Sequence, residues 1–313
     1  MADDAEGRGP GAEGRLPGIV EPRDAYDPTG AATVGSLLSE LTGLLAEAEI
    51  ERAGDEARDI VAALVDQPRF WPALNRTVML DEAVCRQARR AAERRTTGAP
   101  FAYCVGRAAF RHLTLDVDER VLVPRQETEQ LVELVLAGAA AGGIAVDIGT
   151  GSGAIAFALA SEGRFDRVIA TDVSLDALAV ARRNLVMLAP ALRAPVELRH
   201  GAHLAPVREV SASCVVANPP YISHEEAAGL PRSVRDWEPA LALFSADGGM
   251  AATHAIVRAA ASILDAGGLL ALEVDHRRAS LVAELAATDG RYERVSVQLD
   301  LAGRERFVLA RRA

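Results

Sequence analysis

The run Asn218-Pro219-Pro220-Tyr221 concentrates more chemistry than any other segment of this 313-residue chain. An Asn amide oxygen and the carbonyl of the following Pro can both accept from one planar NH2 group, and a Tyr ring can stack on that plane. A planar amide or amino-heterocycle nitrogen is a poor nucleophile because its lone pair is delocalised. Two acceptors on its hydrogens draw electron density toward nitrogen and let it pyramidalise as an electrophile such as a methyl group arrives. Rate then comes mainly from positioning and desolvation. The two prolines stop strand and helix alike, so the segment is expected to be a rigid turn. A plain Asn-Pro turn is the competing interpretation; the position directly after the apolar run Cys214–Ala217 argues against it.

A second cluster lies upstream, at Asp147-Ile148-Gly149-Thr150-Gly151-Ser152-Gly153-Ala154. Its glycines let the backbone turn sharply and approach a ligand, with the N-terminus of a helix alongside. Gly149-x-Gly151-x-x-Ala154 also satisfies the relaxed dinucleotide fingerprint, so a nicotinamide cofactor is one alternative. Asp172, at the end of the next predicted strand, suits either cofactor, since a carboxylate accepts from both ribose hydroxyls. Asp147 leans the other way. A carboxylate just before the glycines would repel a pyrophosphate but suits an ammonium group, and S-adenosylmethionine carries an ammonium, a sulfonium and no phosphate. Capping of the loop backbone is the competing role for Asp147. The six histidines show no metal-ligand spacing, and no general acid or base stands where a nicotinamide enzyme would need one.

The elements that must hold these residues follow from periodicity. Strands are predicted at Ile144–Ile148, Val168–Thr171, Val196–Arg199, Cys214–Ala217 and Leu269–Val274, with helices between them such as Leu175–Leu188 and Met250–Leu264. That alternation means an α/β fold with a parallel sheet covered on both faces. Tyr292–Leu299 and Arg306–Leu309 read as a terminal antiparallel pair. Upstream, Val34, Leu37, Leu38, Leu41, Leu44 and Leu45 form one apolar helix face, Ala57, Ile60, Val61 and Leu64 repeat it, and Asp81 is a candidate N-cap for a third helix that Gly98 and Pro100 stop. Leu113, Leu115 and Val117, followed by Val121–Val123, give a hairpin pattern. Residues 1–30, with six Gly, four Pro and seven acidic residues, read as a disordered acidic tail.

Composition narrows the classes. Half the residues are hydrophobic, so a packed core is expected. A net charge of −10 argues against stable nucleic-acid binding. No run suits a membrane span or a secretory signal, and three widely spaced cysteines fit a reducing, cytoplasmic setting. All 34 cationic residues are arginine, seven of them between Arg86 and Arg111. That local excess is either a solvated helix face or a patch for an anionic partner.

Taken in order, these segments resemble the HemK/PrmC family, bacterial methyltransferases that use S-adenosylmethionine to modify, at N5, the glutamine of the Gly-Gly-Gln motif in peptide chain release factors. The likeness spans about residues 34–313. It rests on Gly98-Ala99-Pro100-Phe101-Ala102-Tyr103, on Val121-Leu122-Val123-Pro124-Arg125-Gln126-Glu127-Thr128-Glu129, on the glycine loop, on Asn218-Pro219-Pro220-Tyr221-Ile222 and on Glu238-Pro239-Ala240-Leu241-Ala242-Leu243. The resemblance implies a seven-stranded class I, Rossmann-like methyltransferase domain over 126–313, preceded by a helical substrate-recognition domain over 31–99 and a β-hairpin linker over 100–125. It implies that Asp147, Gly149, Thr150, Gly151, Ser152, Gly153, Asp172, His203 and Asn218 hold the cofactor. Asn218, Pro219, Pro220 and Tyr221 would hold the acceptor amide and carry the transfer, with Thr128 and Glu129 also on the substrate side. A monomer acting on release factors is expected. The chain departs from the family pattern at Gln126, where Pro is usual, and at Ala202, where an acidic residue commonly accepts from the adenine amino group. Those departures keep open a different NH2 acceptor, either adenine N6 or a specialised metabolite. A translation-factor-binding protein with vestigial catalysis is the reading from another class.

Overall fold

The computed structural model describes residues 19–20 and 30–313. Contacts divide the chain into two units, Met1–Ala99 and Pro100–Ala313. In the first, three helices, α1 (Val34–Glu47), α2 (Ala53–Leu64) and α3 (Glu82–Thr96), bury most of the expected stripes, with Val34, Leu37, Leu38, Leu41 and Leu45 of α1 inside and Leu44 and Leu64 half-buried. Asp81 caps α3 as anticipated, accepting from Val84 N at 2.8 Å; such a cap contributes about 1 kcal/mol. Three of the five arginines of α3 are engaged by carboxylates of the same unit. Arg86 pairs with Glu82, Arg89 with Glu40 of α1 and Arg95 with Glu56 of α2. Ile19–Val20 and Ala32–Thr33 each pair antiparallel with Met79–Leu80. Apart from Ile19, Val20 and Gly30, the expected disordered tail over 1–30 lies outside the described residues.

The second unit opens with a short helix, Phe101–Val105, that the periodicity did not indicate. The hairpin is also shifted. Its strands are β1 (Arg107–Phe110) and β2 (Leu113–Asp116), and Val121–Val123 joins no ladder. Alternation alone could not separate the two, because Val121 is buried too, as loop, with its carbonyl accepting from the Tyr103 hydroxyl.

After α4 (Gln126–Gly138) come β3 (Ile144–Ile148), α5 (Ala154–Glu162), β4 (Arg167–Asp172), α6 (Leu175–Leu188), β5 (Val196–His200) and β6 (Ala212–Ala217). Then follow α7 (Ala251–Ala260), β7 (Leu264–Glu273), α8 (Ala279–Thr288), β8 (Tyr292–Leu299) and β9 (Glu305–Arg312). The strands form one seven-stranded sheet in the order β8-β9-β7-β6-β3-β4-β5. Its neighbours are parallel except around β9, which runs antiparallel to both β7 and β8. The expected α/β fold, including the terminal antiparallel pair, is borne out. β7 starts five residues earlier than expected, and its register against β6 shifts between Leu264 and Leu269, where Gly267-Gly268 breaks the alternation.

Side chains of the central strands alternate between two cores. Ala145, Val168, Cys214 and Ala271 belong to one; Val146, Ile169, Val215 and Leu272 belong to the other. Burial on both faces explains why these strands read as continuous apolar runs. Their register sets the site. Thr171, Ile148, Ala217 and Leu272 stand side by side across four parallel strands. The residues that follow them, Asp172, Gly149, Asn218 and Glu273, therefore emerge in one row at the carboxyl edge of the sheet. The order in which strands are added reverses about β3, with β4 and β5 on one side and β6 and β7 on the other, and such a switch point is where open α/β sheets form their ligand crevice.

Candidate active site

A cavity of about 450 Å³ opens above this row, lined by Gly149, Gly151, Asp172, Ala202, His203 and Asn218 together with Pro219, Pro220 and several apolar side chains. That is a volume suited to a nucleoside-sized ligand.

The glycine loop is pinned to the neighbouring strand. Gly149 N and Thr150 N both donate to Thr171 O at 2.9 Å. A Cβ built on Gly149 or Gly151 meets no protein atom within 4 Å, so it would stand in the cavity these residues line. Gly153 is different: at φ +90° its Cβ would lie 2.0 Å from Phe157 Cε2, so its role is to let α5 begin tightly against the loop. Asp147 is fully buried and caps the loop, accepting from Thr150 Oγ1 at 2.6 Å and from Ala156 N at 3.2 Å through one oxygen. Its other oxygen is buried with no hydrogen-bond partner. Burial pushes this carboxyl up to about 7, against the pull of those two hydrogen bonds.

Asp172 presents a fixed carboxylate at the cavity wall. Oδ2 accepts from Gly151 N and Oδ1 from Ser174 N, each at 2.9 Å, which leaves further lone pairs for a ligand's hydroxyls. Burial raises its pKa above the usual carboxylate range, and the backbone donors at Ser174, Gly151 and Val173 hold it down. The turn after β5 is tied to the same strand by Gly201 N donating to Asp172 O at 2.9 Å, and His203 takes a left-handed φ of 49°. Ala202 and His203 line the same cavity, with a methyl side chain at 202 where the family commonly has an acidic one.

Asn218 lies on the wall, and its Nδ2 donates to Thr128 Oγ1 at 3.0 Å. Thr128, at the start of α4, donates in turn to Glu273 Oε2 at 2.7 Å. Both are buried. Tyr221 does not line the cavity; its hydroxyl lies 3.5 Å from Glu273 Oε1. The turn that follows is stitched down by Ile222 N donating to Leu243 O and Ser245 N donating to Ile222 O.

The sequence reading had no role for Glu238, Glu273 or Asn184. Arg125 NH2 donates to Glu238 Oε1 at 2.7 Å and Val123 N to Glu238 Oε2 at 3.3 Å, which clamps the segment before α4 onto the Pro239–Ser245 wall. Asn184 of α6 donates to both Ser152 O and Asp116 O, joining the glycine loop to the hairpin. Glu273 ends the apolar run Leu269–Leu272, a pattern that flags a buried carboxylate but not its partner; Glu238, after Arg235-Asp236-Trp237, carries no such signal. Several residues expected at the site lie behind it. Asp147, Thr150, Ser152 and Gly153 shape the loop without lining the cavity, and Glu129 offers its carbonyl to Arg111.

A cofactor with an aminoacyl end, a ribose and a flat base fits what is present. Gly149 and Gly151 form a cradle that a Cβ would fill, Asp172 offers hydroxyl acceptors, and Asp147 keeps an unpartnered buried oxygen beneath the loop.

Comparison with known proteins agrees with this geometry. Residues 36–106 match the model of the PrmC N-terminal domain and residues 108–230 that of the Methyltransferase small domain. A release factor glutamine methyltransferase of Moorella thermoacetica is 39% identical over 284 residues, covering 90% of this chain and 99% of that protein. Proteins of the same name from Nitratidesulfovibrio vulgaris, 35% identical over 91% of this chain and 97% of theirs, and from Cereibacter sphaeroides, 39% identical over 85% and 94%, align along nearly their whole lengths. With identity at this level from end to end, and a glycine cradle and Asn218 wall above adjacent strands, the chain belongs to the release factor glutamine methyltransferase family.

Proposed function

We propose that this protein transfers a methyl group from S-adenosylmethionine to the side-chain amide nitrogen of the glutamine in the Gly-Gly-Gln motif of peptide chain release factors, in the cytoplasm. The observation that carries the proposal is Asn218: its NH2 is engaged by Thr128, so the amide oxygen is the atom left to meet an acceptor's N–H in the cavity. The cofactor supplies an electrophilic methyl carbon. Gly149 and Gly151 would receive its aminoacyl end, Asp172 its ribose hydroxyls, and the Ala202–His203 turn would wall the base.

Asn218 Oδ1 and the Pro219 carbonyl accept the two hydrogens of the glutamine amide and orient its nitrogen lone pair; as the N–C bond formed, the methyl's bond to the sulfonium would break to leave a neutral thioether, and one amide proton would be lost to solvent. The two prolines hold that pair of acceptors rigid, so little is lost to ordering during the transfer. Apolar walls at Val121, Leu122 and Phe244 exclude water.

The test is incubation with isotopically labelled S-adenosylmethionine and purified release factor, followed by mass spectrometry of the Gly-Gly-Gln peptide. One added methyl on glutamine is expected in wild type. Asn218→Ala is expected to transfer at least about 10²-fold more slowly, because the acceptor amide is free to rotate. An unlabelled glutamine with intact cofactor binding would remove release factors as the substrate.

A further inference from the structure

Glu273 has no counterpart among the residues assigned to cofactor or acceptor, yet it sits in the same row at the carboxyl edge of the sheet. It is 1% exposed. Of its two oxygens, Oε2 accepts the Thr128 hydroxyl at 2.7 Å and Oε1 faces the Tyr221 hydroxyl at 3.5 Å, so one meets the α4 residue that holds Asn218 and the other the last residue of the Asn218–Tyr221 turn. A buried carboxylate in a sheet core is costly, and here the partners are neutral hydroxyls rather than a paired cation at hydrogen-bonding distance.

We propose that Glu273 and Thr128 are positioning residues that dictate which face of the Asn218 amide meets the acceptor. This rests on the methyl-transfer role of Asn218 and deepens it. A side-chain amide is nearly symmetric in shape, and nothing steric prevents its oxygen and NH2 from exchanging places. With the NH2 toward the cavity, Asn218 would offer donors to an acceptor that itself has only donors to give on that side. The hydrogen-bond polarity of the chain forbids this. Ionised Glu273 can only accept, so the Thr128 proton is committed to it. The Thr128 oxygen can then only accept from Asn218, which commits the Asn218 NH2 inward and its Oδ1 outward. Removing Thr128 leaves the inward Asn218 NH2 without an acceptor, so the amide turns over to satisfy it and only about one molecule in 10² keeps Oδ1 toward the cavity.

The decisive comparison uses Thr128→Val, Thr128→Ser and Glu273→Gln at pH 8, where Glu273 is ionised. Val keeps the shape of Thr and removes both roles of the hydroxyl; Ser keeps the hydroxyl. The expected result is a fall in kcat of about 10²-fold for Thr128→Val with KM for the cofactor within about twofold, recovery of most of that loss in Thr128→Ser, and an intermediate loss of about 10-fold for Glu273→Gln, whose amide can present either a donor or an acceptor to Thr128. In the double variant Glu273→Gln should add nothing to Thr128→Val, since the chain is already cut. A second readout needs no acceptor: solvent exchange of the Asn218 side-chain NH2 protons, followed by NMR on asparagine-labelled protein. Exchange should be slow in wild type and Thr128→Ser and at least about 10-fold faster in Thr128→Val. Unchanged exchange in Thr128→Val, or equal kcat for Val and Ser, overturns the proposal. Failure of the wild type to methylate release factor refutes the proposed acceptor instead, and the exchange measurement still decides the role of Thr128 and Glu273.

Discussion

Alanine at Gly151 and at Gly153 should do opposite things, although the two glycines are two residues apart in one loop. At Gly151 the new Cβ meets no protein atom within 4 Å, and the φ of +56° lies in the left-handed region. The folded state should therefore lose only the left-handed penalty, about 1–2 kcal/mol. The methyl stands in the cavity, however, and must be accommodated against the bound cofactor. Overpacking of that kind costs about 1–3 kcal/mol, which corresponds to roughly 5- to 150-fold in Kd. At Gly153 the Cβ would lie 2.0 Å from Phe157 Cε2 at φ +90°. The Phe157 ring, fully buried in the core, must move, so the left-handed and overpacking penalties add to about 2–5 kcal/mol of lost stability. Urea unfolding and calorimetry with S-adenosylhomocysteine on the same samples separate the two effects. Gly151→Ala should bind weakly and unfold at modestly lower urea, by its left-handed penalty alone; Gly153→Ala should unfold at much lower urea. Wild-type affinity in Gly151→Ala would show that this face of the loop does not meet the cofactor, and the assignment of the cradle would fall.

Asp172→Ala should weaken S-adenosylhomocysteine by at least about 10-fold and lower stability by about 1–3 kcal/mol, because Gly151 N and Ser174 N lose their acceptors; calorimetry showing unchanged affinity would place the ribose elsewhere. Arg125→Ala should cost about 2–3 kcal/mol in urea unfolding, since it strands the Glu238 carboxylate, whose side chain is 1% exposed, while Arg125 itself is 32% exposed and part of the pairing is screened. Glu238→Gln added to that variant should recover part of the loss, and full additivity would deny the pairing. Stability should fall as pH rises from about 4.5 to about 7. Burial raises Asp147 and Glu273 to about 7, so over that window the folded state keeps protons that the unfolded chain has released, at up to about 1.4 kcal/mol per pH unit for each group. Asp275, held down to about 2 despite its burial by Arg277 and Arg278, acts oppositely, but its contribution is lost only below about pH 4. Unfolding free energies of wild type and of Asp147→Asn with Glu273→Gln, measured at pH 5 and 7.5, would expose the error if the double variant kept the slope.

The sequence by itself determined the elements and the chemistry that could be done. Central strands buried on both faces are written as continuous apolar runs, which is why Ile144–Ile148 and the helix Leu175–Leu188 were legible to the residue. Glycines that must leave space, and an Asn-Pro-Pro-Tyr turn, announce themselves because few other residues can take those positions. What periodicity cannot carry is pairing across long separations. The hairpin was misplaced because a buried loop residue, Val121, alternates like a strand residue. The roles within the site were decided only by tertiary structure. Asp147 turned inward to cap the loop, since a buried carboxylate takes the nearest donors, Thr150 and Ala156. Thr128 reached Asn218 across 90 residues, and Glu273 reached Thr128 across 145, because strand register set Asn218 and Glu273 in one row and α4 brought Thr128 against both. Hydrogen-bond polarity depends on which groups meet, and they meet only once the sheet has formed.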